Sequence, residues 1–365
     1  MFHSHIVRSL SLDRPVRVLD ACAAPGGKTS AVLSALPGGS IVVANEFVPA
    51  RAAVLKENIV KWGSPDVVVT RGDTSAFASM PETFDVIVAD VPCSGEGMMR
   101  KEPHAVEQWS PALVEECASL QWHIIQNLWP SLRPGGWLIY STCTFNRTED
   151  ELMVERIISD LGAESLEVPV EEWWGITPGI GTSAHCYRFI PGRTRGEGLF
   201  AALLGKPGGS SGRVLKQREK RESRAAIPGD VNDWLADPGR FTISASSSGR
   251  ITAFPKDHAE LLGLLSGYLD IIHEGVPLAT VKGRDIIPAH ALAMSTALRR
   301  DAFARVELDR SASLSYLRGD TVTLPPDTPR GFVAVCHGGY PLGWAKNLGS
   351  RTNNYYPVSY RIKIQ

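Results

Sequence analysis

Two cysteines carry the strongest chemical signal in this sequence. Cys93 stands in Asp90-Val91-Pro92-Cys93-Ser94-Gly95, directly after the apolar run 84–89, and Cys143 stands in Ser141-Thr142-Cys143-Thr144, directly after the run 137–141. A lone cysteine on a strand is usually a small core residue. Two that end successive strands, on the side where α/β sheets bind ligands, point instead to a reaction needing two thiols. Pro92 fixes the backbone beside Cys93, and Asp90 adds a carboxylate to the same crevice.

A third stretch reaches that crevice. Residues 16–19 read as a short buried strand, Asp20 closes it, and Ala21-Cys22-Ala23-Ala24-Pro25-Gly26-Gly27 carry almost no bulk before Lys28 and a helical pattern. Such a loop lets backbone approach a ligand and offers it the positive end of the next helix. A phosphate-gripping P-loop needs glycine where Cys22 stands, and the dinucleotide fingerprint needs a glycine spacing that Pro25-Gly26-Gly27-Lys28 lacks. A small adenosyl compound without a polyphosphate remains, against the plainer reading of a structural glycine turn.

The elements that position these residues alternate strand and helix. A second strand, 40–45, leads to Glu46, placed to accept both ribose hydroxyls of an adenosine or, alternatively, to cap a helix. A helix at 51–62 and a third strand at 67–70 lead to Gly72-Asp73, where an acid could take the exocyclic amine of an adenine or serve a surface turn. A helical pattern at 110–132 passes through Arg133-Pro134-Gly135-Gly136 into the fifth strand at 137–141. Asn146 or Thr148 is expected to cap the next helix, with Glu149, Asp150 and Glu151 in its first turn. The fold class is α/β with a Rossmann-like sheet.

Bulk properties set the limits. A length of 365 residues exceeds what one core usually serves, so two or three domains are expected. The net charge of −1 gives no global basic signal, so any basic surface must be local. Cysteines 22, 93, 117, 143, 186 and 336 show neither paired nor metal-type spacing, which predicts reduced thiols and no metal. No apolar run has membrane length, and residues 1–10 lack a signal-peptide core, so a cytoplasmic protein without membrane partners is expected.

Taken together, Cys22-Ala23-Ala24-Pro25-Gly26-Gly27-Lys28-Thr29, Asp90-Val91-Pro92-Cys93-Ser94-Gly95-Glu96-Gly97 and Ser141-Thr142-Cys143-Thr144 resemble the Nol/Nop/Sun RNA (cytosine-5)-methyltransferases in order and spacing. Met99-Arg100-Lys101 and Gln108-Trp109-Ser110 extend the second motif. Residues 187–204, with Gly196-Glu197-Gly198 and Phe200-Ala201-Ala202, are similar to the family's last two catalytic-domain strands. Within the family the resemblance is greatest to the RsmF type, which implies a class I methyltransferase sheet acting on 16S ribosomal RNA.

The resemblance implies S-adenosyl-L-methionine as methyl donor, lined by Cys22, Ala23, Ala24, Pro25, Gly26, Gly27 and Lys28, with Glu46 on the ribose, Asp73 by the adenine and Asp90 between donor and base. Cys143 matches the nucleophile that adds to carbon 6, and Cys93 the cysteine that helps release the product. One ambiguity stays open, because DNA cytosine-5-methyltransferases attack with the cysteine of a proline-cysteine pair, which here is Cys93. A target base must leave its stack, so loop or single-stranded RNA is the implied partner of a monomeric enzyme. A transfer RNA enzyme and a truncated, non-catalytic RNA-binding relative are the alternatives.

Four domains or segments are expected: a methyltransferase domain at 1–205, a basic flexible linker at 206–229, a small α+β domain at 230–288 and a PUA-like RNA-binding domain at 289–365. The linker reading rests on Gly208-Gly209-Ser210-Ser211-Gly212 followed by Arg213, Lys216, Arg218, Lys220, Arg221 and Arg224. Residues 251–254 read as a strand and 258–272 as a helix. Beyond 289, short strands at 321–324, 331–335 and 343–351 suggest a β-rich barrel with Lys346, Asn347 and Arg351 near RNA. The family carries a longer leading segment than the 15 residues before Val16, so the start at Met1 is expected to be internal to a longer chain. A missing wall over the donor pocket would weaken donor binding.

Overall fold

A computed structural model of the chain describes residues 2–208 and 227–363, so most of the expected linker lies outside the described residues. The described residues form two compact units. The first comprises 2–56, 66–208 and 264–273, and the second 57–65, 227–263 and 274–363.

The first unit is a twisted sheet built on five parallel strands, β1 (Arg17–Asp20), β2 (Ile41–Glu46), β3 (Val67–Arg71), β4 (Phe84–Asp90) and β5 (Leu132–Thr142), ordered β3-β2-β1-β4-β5. These strands are near-continuous valine and isoleucine runs because helices cover both faces of a parallel sheet. Beyond β5, β6 (Glu164–Leu166), β7 (Thr177–Pro178), β8 (Cys186–Phe189) and β9 (Leu199–Gly205) complete one side. There β9 runs antiparallel to β5 and pairs on its other side with β8 and β6. On the opposite side the strand Asp270–Glu274 borders β3.

The helices are α1 (Phe2–Ser9), α2 (Gly27–Leu33), α3 (Pro49–Trp62), α4 (Ser75–Ala78), α5 (Pro103–Gln108), α6 (Pro111–Leu128) and α7 (Glu151–Leu161). Phe2, Ile6 and Val7 of α1 pack with Val32 of α2 against Val18, Val42, Val86, Val88 and Ile139 of the sheet. Burying each such side chain stabilises by roughly 1.5–3 kcal/mol, which holds so short a helix in place. Asp85 interrupts the apolar pattern of β4 for a reason. Its buried carboxylate accepts from Arg17 N at 2.8 Å, Arg14 Nη2 at 2.7 Å and Arg133 Nη1 at 2.8 Å, fastening the end of the sheet remote from Asp90.

Three local expectations need correction. The helix after Cys143 starts at Glu151, not at Asn146 or Thr148, and Glu149, Asp150 and Glu151 are fully buried. Asn146 still accepts from Glu149 N at 2.9 Å, tightening the turn before the helix. Residues 258–272 do not form one helix: Ala259–Leu265 ends before Gly267, and Ile271 and Ile272 lie in the strand Asp270–Glu274. Finally, 321–324 is not a strand, being followed at once by Pro325 and Pro326, which cannot donate to a ladder.

In the second unit, Phe241–Ala245, Arg250–Pro255, Val276–Lys282 and Asp285–Pro288 form an antiparallel sheet. Arg305–Glu307, Gly331–His337, Tyr340–Asn347 and Thr352–Asn354 form another, whose first pair is parallel. Ile251 and Leu278 from one sheet share a core with Ala334 and Trp344 from the other. Asn347 serves the turn after its strand, donating to Thr328 O at 2.9 Å and accepting from Gly349 N at 2.9 Å, while Arg351 is exposed.

Candidate active site

The loop after β1 and the start of α2 line a cavity of about 470 Å³, a volume suited to a small-molecule ligand. Cys22, Ala23, Ala24, Pro25, Gly27 and Lys28 supply one wall, Asp90 the floor, and Phe2 and His3 of α1 a further side. Gly26 turns the chain at φ 105°, where a side chain would strain the backbone. At Gly27 an added Cβ would meet no atom within 4 Å, so the space over the helix start is open.

The acids expected around the loop are differently placed. Asp20 is fully buried, with Thr29 Oγ1 donating to Oδ2 at 2.6 Å and Oδ1 lacking any hydrogen-bond partner. Burial raises its pKa to about 7. Glu46, also buried, accepts from Val48 N at 3.0 Å through Oε1, and its Oε2 has no hydrogen-bond donor. Arg51 stands 3.4 Å from that oxygen, an ion-pair distance without hydrogen-bond geometry, and donates to Ala24 O, so it ties Glu46 to the loop. Asp73 is exposed, and hydrogen bonds from the Ser75 side chain and then from Ser75 N, the latter at 2.8 Å ahead of α4, lower its pKa. Neither Glu46 nor Asp73 is among the residues that line the cavity.

The two cysteines do come together. Because β4 and β5 are parallel neighbours with Asp90 opposite Ser141, the loops that follow bring Cys93 Sγ to 3.2 Å from Cys143 Sγ. Both are half-buried free thiols. Their pKa values split: the hydrogen bond from Cys93 lowers that of Cys143, and the same bond, with burial, raises that of Cys93. Lys28 assists the Cys143 thiolate while burial and Asp90 oppose it.

A buried carboxylate that sequence reasoning assigned to a helix dipole holds this arrangement. Glu149 accepts from Ser94 N at 3.0 Å, Ser94 Oγ at 2.5 Å, Gln121 Nε2 at 2.7 Å and Asn146 Nδ2 at 2.7 Å. It thereby joins the residue after Cys93 to the segment after Cys143. Two residues on, Glu151 receives both Nε and Nη2 of Arg188 at 2.5 Å, and this guanidinium outweighs the burial that would otherwise raise the Glu151 pKa. Glu197, which lines the cavity, pairs with both Arg100 and Lys101.

A second chain of contacts was missed from sequence. Lys28 Nζ lies 2.7 Å from Asp90 Oδ2, Ser141 Oγ donates to Asp90 Oδ1 at 2.7 Å, and His3 Nε2 lies 2.9 Å from Ser141 Oγ. Ser141 belongs to a quoted motif, but nothing in the run Phe2-His3-Ser4-His5 distinguishes a site histidine from a surface one. Among the described residues no group of three or more histidine, cysteine or acidic side chains could hold a metal ion. No described helix is long and apolar enough to cross a membrane.

A parallel β3-β2-β1-β4-β5 core with antiparallel β9 and β8 beyond it, and a small-residue loop after β1, defines a class I, S-adenosylmethionine-dependent methyltransferase fold. The sequence model described as 16S rRNA methyltransferase RsmB/F matches residues 8–205, and that of the methyltransferase RsmF PUA domain matches residues 303–362. The chain belongs to the RsmB/F family of 16S rRNA methyltransferases.

Among relatives, ribosomal RNA small subunit methyltransferase F of Klebsiella pneumoniae (strain 342) is 33% identical over 359 residues, covering 94% of this chain and 73% of that protein. Its counterpart in Enterobacter sp. (strain 638) is 32% identical, covering 94% and 72%. A solved structure of NSun6 from Pyrococcus horikoshii with SFG, an analogue of S-adenosylmethionine, is 29% identical with a TM-score of 0.50. That similarity covers 57% of this chain and 52% of NSun6, so the chain spans about half the length of that protein.

Proposed function

We propose that this protein methylates carbon 5 of a cytosine in 16S ribosomal RNA through a covalent adduct between Cys143 and carbon 6, resolved with Cys93. The observation that carries the reading is the pair of half-buried thiols 3.2 Å apart at the ends of adjacent parallel strands, on the same sheet edge as the Lys28–Asp90 pair.

The residues fit S-adenosylmethionine. The bulk-free loop and the open space above Gly27 leave room for an adenosyl group, and Asp90, which lines the cavity, supplies a carboxylate suited to a positively charged ligand. When bound, the donor supplies an electrophilic methyl group on a sulfonium. Cys22 to Lys28, with Glu46 and Asp73, are the residues assigned to hold it.

Carbon 5 of cytosine is a poor nucleophile, so the Cys143 thiolate first forms a bond to carbon 6 and pushes an electron pair towards carbon 5. Asp90, held between Lys28 and Ser141, assists by favouring protonation of ring nitrogen 3. Carbon 5 then takes the methyl group, and its proton must leave before the sulfur–carbon 6 bond can break. Adduct formation consumes the negative charge on Cys143 and so removes the first of the influences, ahead of burial, that raise the Cys93 pKa; Cys93 then gives its own proton to solvent and, as thiolate, takes the proton from carbon 5. The double bond re-forms and the electron pair returns to Cys143.

Incubating the full chain with labelled donor and, in parallel, unmodified 16S ribosomal RNA, naked and in the small subunit, and unmodified transfer RNA tests the reading. Label recovered as 5-methylcytosine in that RNA is expected. Label on another base or position would overturn the chemistry, and label only in transfer RNA would overturn the substrate.

A further inference from the structure

We propose that His3 is a positioning residue for this methyl transfer, holding the Ser141 hydroxyl so that its one proton is committed to Asp90. The proposal rests on the function just given, since Asp90 acts on the target base only in that reading. Helix α1 buries His3 and Ser4 together with the apolar Phe2, Ile6 and Val7, and burying an imidazole there is costly unless it is hydrogen-bonded. His3 is only 1% exposed, yet it reaches the wall of the cavity.

The proton inventory fixes its role. A serine hydroxyl has one hydrogen and two lone pairs. Ser141 gives that hydrogen to Asp90 Oδ1 at 2.7 Å, so the atom 2.9 Å away on its other side, His3 Nε2, must carry a hydrogen of its own. A neutral imidazole protonated at Nε2 meets this requirement, and burial, which lowers the His3 pKa to about 4, keeps the ring neutral. Each oxygen of Asp90 then has one fixed donor, Ser141 on Oδ1 and Lys28 on Oδ2. Hydrogen bonds in such a chain polarise one another, so the His3 donor strengthens the grip of Ser141 on Asp90. Without it, the hydroxyl gains a free rotor and a bare lone pair in a buried site.

Steady-state methylation by the full chain and its His3→Leu, His3→Gln, Ser141→Ala and His3→Leu/Ser141→Ala variants tests this. His3→Leu is expected to lower kcat about tenfold with the KM for RNA unchanged, the loss of one buried hydrogen bond acting on orientation. Gln, which can donate to Ser141, should recover most of the loss, and the double variant should match Ser141→Ala alone. Equal losses in Leu and Gln, or losses that multiply in the double variant, would overturn the proposal. Because His3→Leu could unfold α1, imidazole nitrogen NMR of the unsubstituted protein without RNA gives an independent arm. It should show hydrogen on Nε2 and a neutral ring at about pH 5.5, whereas hydrogen on Nδ1 only would refute the bond chain. Absence of methyl transfer by the unsubstituted protein would sink the proposed function, and the NMR result would still decide the His3–Ser141 bond.

Discussion

Cys93 Sγ and Cys143 Sγ lie 3.2 Å apart although fifty residues separate them in sequence. Sheet topology accounts for this: β4 and β5 are adjacent and parallel, so residues just past their carboxyl ends must meet. The same edge receives the loop after β1 and the Lys28–Asp90 pair.

The split between the thiols predicts their reactivity. Cys143, lowered by the Cys93 hydrogen bond, should alkylate first as pH rises, ahead of Cys93 and of Cys117, which burial pushes up to about 11. Cys93→Ala removes that donor and should move the Cys143 titration upward. Iodoacetamide labelling rates against pH, read by peptide mass spectrometry, check both statements.

Asp20 predicts a pH dependence of stability in the donor-free chain. Burial raises its folded pKa to about 7, well above the ordinary carboxylate range, so its contribution is fully present below the unfolded pKa and is lost as pH rises through 7. Three pKa units correspond to about 4 kcal/mol at most. Melting temperature should therefore fall as pH rises from about 4 to about 7 and level off above it, and Asp20→Asn should flatten that slope and exceed the parent above neutrality. Calorimetric melts of both chains across this range decide it.

Gly27→Val places its branched side chain in the open space at the start of α2. The chain should fold with an unchanged melting temperature while affinity for S-adenosylhomocysteine falls at least about tenfold, a loss of about 1.4 kcal/mol. Isothermal titration calorimetry beside a thermal melt separates blocked binding from lost folding.

Glu149→Ala leaves Ser94 N, Gln121 and Asn146 without their buried acceptor. Hydrogen bonds to a charged group contribute about 1.5–3 kcal/mol each, so the variant should lose about 3 kcal/mol or more. It should also weaken the Cys93–Cys143 coupling, with the Cys143 titration rising. Urea unfolding and the alkylation profile measure the two effects.

Much of the site was legible because strand ends are. Apolar runs at 16–19, 84–89 and 137–141 marked parallel strands, and the short polar motifs after them had to share one edge. Interactions over long sequence separation were not legible. Glu149, Asp150 and Glu151 read as the first turn of a helix, yet Glu149 accepts from Ser94 and Gln121 and Glu151 from Arg188, all distant in the chain, and all three acids are buried. His3 is similar, since only the packing of α1 on the sheet brings it to Ser141. The helix expected through Ile272 failed because a sheet edge captured Asp270–Glu274 beyond Gly267, a tertiary effect that local periodicity does not carry.

The central claim is the division of labour between the thiols, and trapping of protein-bound RNA tests it most directly. Cys143→Ala and Cys93→Ala chains are incubated with donor and labelled 16S ribosomal RNA, then denatured and resolved by electrophoresis. Cys143→Ala should give no covalent species and lose transfer by about 10⁴-fold or more, whereas Cys93→Ala should accumulate the adduct. Adduct persisting in Cys143→Ala and vanishing in Cys93→Ala would contradict the account and make Cys93 the nucleophile.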